Sequence, residues 1–480
     1  MNRHTVEKIG GTSMSNYQSV RDNIVFKPSV KGEMYQRIFV VSAYGGITNK
    51  LLEHKKTGQA GVFALFSSGV NDDTWADALE ELENEIFAIN QSLFGEGELL
   101  EQANQFIGER IRDAKQCLRD LKNVCRHGHF ALETHLATVR EMLASIGEAH
   151  SAWNTTQLLK RDGLNARFVD LTGWQSDSQA TLDQRICLAF EAIDLEVELP
   201  IVTGYAHCED GLMSTFDRGY SEMTFSRTAV LTEAREAIIH KEFHLSSADP
   251  KLVGEHNAVP IGRTNYDVAD QLANLGMEAI HPKAAKGLRQ SNIPLRVKNT
   301  FEPDHAGTLI TVDYISEMPR VEIIAGCKGI YAIEVFSQDM AGNIENYDRE
   351  ILQVIKRFKG QVVTKDINAN TISHYLSTNL KTVKRICKEL ECKFDEAEID
   401  QRKVAIVSAI GSDLQVPGML AKTVAALSDC DINVLAMHQS MRQVDMQFVV
   451  DEQDYQVAIK SLHRCLVEVH DHGAAICLAS

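Results

Sequence analysis

The chain has 480 residues, 44% of them apolar, and carries 66 acidic against 49 basic side chains for a formal net charge of −17. That length predicts two or three domains, and the acidic balance argues against nucleic acid or an anionic membrane as a partner, while leaving room for a small basic patch that binds nucleotide phosphates. Its ten cysteines are scattered with no CxxC pair, which excludes zinc and redox spacing and reads as reduced thiols. With no apolar signal region and no apolar run of ~18 residues, a soluble cytoplasmic protein is expected.

The first strand runs into "KIGGTS", Lys8 to Ser13, where the lysine precedes the glycine pair. A Walker loop places its lysine after the glycines. "RIFVVSAYGGITN" (37–49) is a β-branched run that ends in a second Gly-Gly loop. Residues 72–160 are leucine-rich and helical in period. Within them Ala149, Ala152, Trp153, Thr156 and Leu159 fall on one helical face, with Gly163 as the stop. Trp153 and Trp174 are expected in the core. "ARFVD", "LPIVTGY", "EAIIHKEF" and "LRVKNTF" then read as strands alternating with helices, which predicts a mostly parallel sheet covered on both faces. Ligands bind at the strand-to-loop junctions of such sheets, and both Gly-Gly loops lie at one.

The pattern changes around "TVDYISEMPR" (311–320). "IYAIEVFSQDM", "YDREILQVIKRFKG" and "QVVTKDINANTISHYL" are followed by a second series, "VAIVSAIGSDL", "GMLAKTVAALSDCD", "INVLAMHQ" and "QVDMQFVV". Each series follows the ferredoxin-like split βαβ plan, a divergent repeat of two small sensor-like domains.

A glycine pair lets main-chain N–H groups close on an anion, and an adjacent lysine adds a full charge that can bridge transferring phosphates. Either loop alone reads better as a plain strand-end turn. The two together, one carrying Lys8, put a phosphate site level with that reading.

Seven motifs occur in order: "VEKIGGTS", "VVSAYGGITN", "SIGEAHSAWN", "FDRGYSEMTFS", "SSADPKLVG", "LANLGMEAIHP" and "IPLRVKNTFEPDHAGTLI". In this the whole chain resembles the aspartate kinases of the amino-acid kinase superfamily. "FDRGYSEMTF" looks most like the subgroup associated with ectoine biosynthesis. The resemblance implies a three-layer α/β/α sandwich, the amino-acid kinase fold, over 1–315. Two ferredoxin-like ACT domains would follow, one at 329–395 and the other interleaved with it from 321–327 plus 400–480. It also implies ATP with Mg²⁺, L-aspartate as acceptor, no metal held by the protein, and a homodimer or larger oligomer joined through ACT strands, with "VEIIAG" (321–326) in the sheet of the second unit.

Position by position, Lys8 would bridge the phosphates in the transition state, and Gly10, Gly11, Gly45 and Gly46 would offer main-chain donors to the γ-phosphoryl group. Ser42, Thr48, Glu148 and Arg218 match substrate positions, with Ser221 in the same loop. Arg218 can clamp an α-carboxylate and Glu148 can pair with the α-ammonium. Glu222 stands where the family usually has an aspartate that orients the lysine. His240, Lys241, Ser246, Lys251 and Glu278 match the nucleotide site. Taken singly, Glu148 reads as a solvated helix charge, Arg218 as a surface ion pair, Ser42 as a strand-end hydroxyl and His281 as a structural turn residue.

Two departures from the family stand out. Lys241 replaces an aspartate and Glu278 a lysine, which exchanges the signs and predicts that the two face each other. Ser440 is followed by Met441 where regulated relatives have Ser-Glu, so feedback by lysine or threonine is not expected, although Asn433 matches an effector-pocket position. The alternatives are another acyl-phosphate-forming kinase, such as one acting on glutamate or acetylglutamate, and an amino-acid sensor whose kinase site has decayed.

Overall fold

A computed structural model describes residues 3–27, 34–55, 57–68, 73–127, 129–176, 179–216, 219–277, 279–468 and 475. The chain divides into two compact units, Met1–His244 with Ile280–Val312, and Leu245–Ala279 with Asp313–Ser480.

In the first unit the strands are β1 (Thr5–Ile9), β2 (Arg37–Val41), β3 (Ala166–Val169), β4 (Leu199–Thr203), β5 (Glu236–Lys241), β7 (Leu295–Asn299) and β8 (Thr308–Thr311); β6 (Arg263–Asn265) belongs to the second unit. They lie in the order β3-β4-β2-β1-β5-β7-β8, parallel except for β8 against β7. Every residue of β1, β2 and β4 is buried, as continuous β-branched runs require when both faces of a sheet are covered. The first unit is thus a mostly parallel sheet with helices on both faces, the sandwich expected from the sequence.

The helix Leu136–Arg161 departs from its expected one-sided pattern. From Leu143 to Thr156 every residue but Trp153 is buried, so the helix is enclosed all round rather than along one stripe. Its small residues, Ala144, Ser145, Gly147, Ala149, Ser151 and Ala152, make that enclosure possible because neighbours can approach its backbone closely. The tryptophans also differ from expectation. Trp153 and Trp174 are only half-buried, Trp153 stacked on Phe106 at 5.2 Å and Trp174 facing the Arg110 guanidinium, whereas Trp75 is the one sealed in the core.

The second unit holds an antiparallel sheet in the order β10-β11-β9-β12-β14-β13. Its strands are β9 (Ile323–Phe336), β10 (Gln361–Ile367), β11 (Thr371–Ser377), β12 (Glu398–Ile410), β13 (Val434–Gln439) and β14 (Asp445–Asp451). β9 is a single strand serving both halves. Ile330–Phe336 lies between β11 and Glu398–Val404, and Ile323–Cys327 pairs with Ile406–Ile410. One core gathers Ile333, Val335, Ile351, Val354, Ile386 and Leu390 beneath the helices Ile344–Arg357 and Leu380–Lys393. The other joins Ile324, Ile406, Phe448 and Leu462 with Leu245, Ile261, Val268 and Leu272 from the inserted segment.

Candidate active site

The site residues of the first unit sit at the carboxyl ends of the central parallel strands. Lys8 is the fourth residue of β1 and is buried; its ammonium is 3.6 Å from Oε1 of Glu222, on the helix Tyr220–Leu231. Burial pushes the Glu222 carboxyl up, but the charges of Lys8 and Lys241 and the His281 N–H together hold it below the usual carboxylate range. His281 caps the helix Pro282–Gln290 with its side chain and donates its own N–H to Glu222, the structural role expected of it.

The two glycine loops are tied together by Ser15. Its hydroxyl accepts from the Gly45 N–H at 2.8 Å and donates to the Gly11 carbonyl at 3.2 Å. Gly11 permits the closeness, since a Cβ there would stand 2.7 Å from the Ala43 carbonyl oxygen. Of the four expected amide donors, Gly10 is bonded to the His240 carbonyl and Gly45 to Ser15, so both are engaged inside the fold. Among the described residues, Gly11 and Gly46 have no such partner and remain able to meet an anion.

Glu148 lies in the enclosed stretch of the helix Leu136–Arg161 and is 2% exposed. Burial pushes its carboxyl up to about 8 against the pull of Lys8, the Tyr220 hydroxyl and the N–H groups of Ala43 and Tyr205. Its Oε2 makes no hydrogen bond among the described residues. A carboxylate left this way is a receptor for a cationic donor. Ser42 follows β2 and its carbonyl accepts from Ser151, a residue of the same helix. Thr48 lies in the short helix Ile47–Leu51, and Ser221 is buried at the start of Tyr220–Leu231. Arg218 lies outside the described residues.

Gly204, Tyr205 and Glu141 join this site without having been singled out in the sequence. A Cβ at Gly204 would stand 2.8 Å from Ser221 Cβ and 2.9 Å from Glu148 Oε2. The signal was present: Gly204 directly follows "LPIVT", another strand-to-loop junction. Glu141, two turns before Glu148, accepts from the Tyr205 hydroxyl at 2.7 Å and from the N–H groups of Met213 and Ser214. It thereby anchors the helix Leu212–Phe216.

The nucleotide residues divide. The His240 imidazole is turned away from the nucleotide role expected of it. Its Nε2 lies 2.8 Å from Glu7 Oε2, and Glu7 is held by the Arg37 guanidinium at 2.6 and 3.0 Å, all three buried. The reason is register: Ile9 pairs with His240, which puts Glu7 and His240 on one face of the sheet and Lys8 and Lys241 on the other. Ser246 and Lys251 belong to the second unit. Ser246 forms a bridge with Pro260, and Lys251 is exposed beyond the Asp249 cap of a short helix. Glu278 lies outside the described residues, and with it the expected pairing to Lys241. Met441 is almost fully exposed and Asn433 is exposed. No cluster of three metal-ligating side chains occurs among the described residues.

A buried lysine and two interlocked glycine loops at the carboxyl ends of a parallel sheet, beside a carboxylate awaiting a cation, fit a kinase that acts on an amino acid. The amino acid kinase family profile matches residues 3–299, and an ACT domain profile matches 396–464. Aspartate kinase Ask_Ect of Stutzerimonas stutzeri (strain A1501) is 56% identical over 99% of this chain and all of its own length. The aspartokinase of Candida albicans is 24% identical over 96% of this chain and 90% of its own. A crystal structure of E. coli aspartokinase III in complex with aspartate and ADP matches with a TM-score of 0.71 at 20% identity, over 97% of this chain and 100% of that one; at this identity the likeness speaks to the fold. The chain belongs to the amino acid kinase family and, within it, to the aspartate kinases.

Proposed function

We propose that this chain transfers the γ-phosphoryl group of ATP to the side-chain carboxylate of L-aspartate, giving ADP and 4-phospho-L-aspartate. The observation that carries the reading is Glu148, a buried carboxyl group within the field of the buried Lys8 ammonium, whose Oε2 has no hydrogen-bond partner among the described residues. An aspartate side chain has an ordinary pKa near ~4, so it is an anion at neutral pH and needs no general base. The obstacle is bringing that anion to an anionic phosphate, and catalysis is then positioning plus electrostatic stabilisation.

Lys8 supplies the positive charge, and Glu222 orients it from 3.6 Å. The Gly11 and Gly46 N–H groups are the available main-chain donors. Glu148 receives the α-ammonium of the substrate, Arg218 its α-carboxylate, and Ser42, Thr48 and Ser221 complete that pocket. The carboxylate oxygen forms the new bond to phosphorus as the bond to the ADP oxygen breaks. Lys241, Ser246 and Lys251 serve the nucleotide. Mg²⁺ arriving with ATP would draw negative charge from the phosphates.

In this reading residues 1–315 are the catalytic domain, 329–395 one ACT domain, and 321–327 with 400–480 the other. The pairing of Ile323–Gly326 with Val407–Ile410 supports the interleaving. The protein works in the cytoplasm as a homodimer or larger oligomer, in keeping with the position of β13 at the edge of its sheet. The likeness to Ask_Ect supports the ectoine-associated subgroup.

Hydroxylamine trapping with ATP across several acidic amino acids tests the reaction. Hydroxamate from aspartate alone supports it. Hydroxamate from glutamate or acetylglutamate would move the assignment to another member of the family, and none from any would favour a sensor.

A further inference from the structure

Within the second unit, residues 245–261 form a hairpin that carries Ser246 and, near its tip, Lys251. Its base is closed by Ile261 N–H to the Leu245 carbonyl and Ser247 N–H to the Val259 carbonyl, at 2.8 and 2.9 Å. Ser247 is wholly buried, and its remaining polar groups are taken up from two sides. Its carbonyl accepts from Ile324 N–H of β9 at 2.8 Å. Its hydroxyl accepts from Val259 N–H at 3.1 Å and lies 2.9 Å from His463 Nε2.

His463 lies on the helix Tyr455–Leu466, 216 residues downstream of Ser247, and is also wholly buried. Its other ring nitrogen, Nδ1, is 2.9 Å from Glu468 Oε1. Because an ionised Glu468 carboxylate can only accept, Nδ1–H is directed to it, and in the neutral imidazole Nε2 then accepts from the Ser247 O–H. A continuous hydrogen-bonded chain runs from the hairpin backbone to a carboxylate at the end of an ACT-domain helix. Such a chain fixes position without touching a ligand.

We propose that His463 is a positioning residue for nucleotide binding, holding the Ser246–Lys251 hairpin in its binding geometry. This rests on the reading that Ser246 and Lys251 serve ATP. The full-length chain is compared with His463→Ala, His463→Gln, Ser247→Ala and Glu468→Gln by steady-state kinetics and thermal melting. His463→Ala and Ser247→Ala raise the KM for ATP about five- to tenfold and leave the KM for aspartate within about twofold, since a lost buried hydrogen bond is felt where its partner sits. Glu468→Gln shifts it in the same direction by less. His463→Gln, whose amide oxygen can still accept from Ser247, recovers most of the ATP affinity.

Equal rises in both KM values, or a lowered Tm with the KM for ATP unchanged, overturn the proposal. If His463→Ala does not fold, Ser247→Ala and Glu468→Gln decide by the same criterion. Loss of all turnover in the unmodified chain strikes the proposed function, whereas an unaltered KM for ATP in active variants strikes this inference alone.

Discussion

The Lys8 ammonium and the Glu222 carboxylate stand 3.6 Å apart with side chains 9% and 14% exposed, close enough to orient the lysine and too far for a full hydrogen bond. The donors of Lys8 are therefore left for a second anion. Lys8→Ala should lower kcat by about 10²–10³, the range for losing one charge-stabilising donor. Glu222→Gln should lower it by about tenfold, because the orientation weakens while the charge remains. Hydroxamate formation at saturating ATP and aspartate measures both. A Lys8→Ala variant keeping more than about a tenth of the activity would remove Lys8 from the transition state.

If Glu148 receives the substrate ammonium as proposed, aspartate binding should depend on pH. Burial raises its carboxyl to about 8, so at neutral pH the empty site holds a proton that the substrate ammonium must displace. The KM for aspartate should fall as pH rises from 6 towards 8 and level off above, and Glu148→Gln should abolish that slope along with most binding. Stability moves the opposite way. A carboxyl raised in the folded state contributes fully below the ordinary carboxylate range, and the contribution is lost as pH rises through about 8. The Tm advantage of Glu148→Gln over the unaltered chain should accordingly widen between pH 5 and pH 8.5. Parallel melting curves across that interval would contradict the raised carboxyl.

Gly204 leaves room beside Ser221 and Glu148, two residues of the proposed substrate pocket. An added methyl would press on Val41 O and Ser221 Cβ, each at 2.8 Å, and on Glu148 Oε2 at 2.9 Å. Crowding of this degree carries about 1–3 kcal/mol. Gly204→Ala should raise the KM for aspartate about tenfold or more while the KM for ATP stays within about twofold. Equal effects on the two substrates would place Gly204 outside the amino-acid pocket.

His240 belongs to a buried network with Glu7 and Arg37. The Glu7 carboxyl is held well below the usual range because Arg37 and the His240 hydrogen bond outweigh its burial. A depressed carboxyl contributes stability above its unfolded value and loses it as pH falls towards the folded one. Glu7→Gln leaves the Arg37 charge buried without its partner, which destabilises by about 3–5 kcal/mol, and the difference from the unaltered chain should shrink on acidification. His240→Asn should lower Tm and leave the KM for ATP unchanged. A several-fold rise in that KM at constant Tm would return His240 to the nucleotide site.

The parallel sheet and both glycine loops were legible because β-branched runs ending in Gly-Gly have few other structural meanings. Lys8, Glu148 and Glu222 came from a motif resemblance and meet in space. The contact of His240 with Glu7 was not legible, because neighbouring residues of a strand face opposite ways and only the pairing of Ile9 with His240 shows which side is which. The enclosure of Leu136–Arg161 was missed because its small residues look polar or neutral on a helical projection. No local pattern could show that Leu245, Ile261, Val268 and Leu272 enter the core beside Phe448 and Leu462. An apolar stripe announces that it will be buried, not against what.

The single strand Ile323–Phe336 sets an order on synthesis. Its first half is paired only when Ile406–Ile410 arrives, some 80 residues after it leaves the ribosome, and Ser247 waits for His463 longer still. At about 5–20 residues per second, those partners are missing for seconds, during which the edge of Ile323–Cys327 and the apolar side of the 245–279 segment are exposed. The first half of the chain can begin to fold from its own strands, but a stretch just beyond it stays unfinished until the last helix is made. A ribosome stalled in the final hundred codons would therefore display sticky sequence from the middle of the protein, and chaperone capture of such nascent chains should concentrate there.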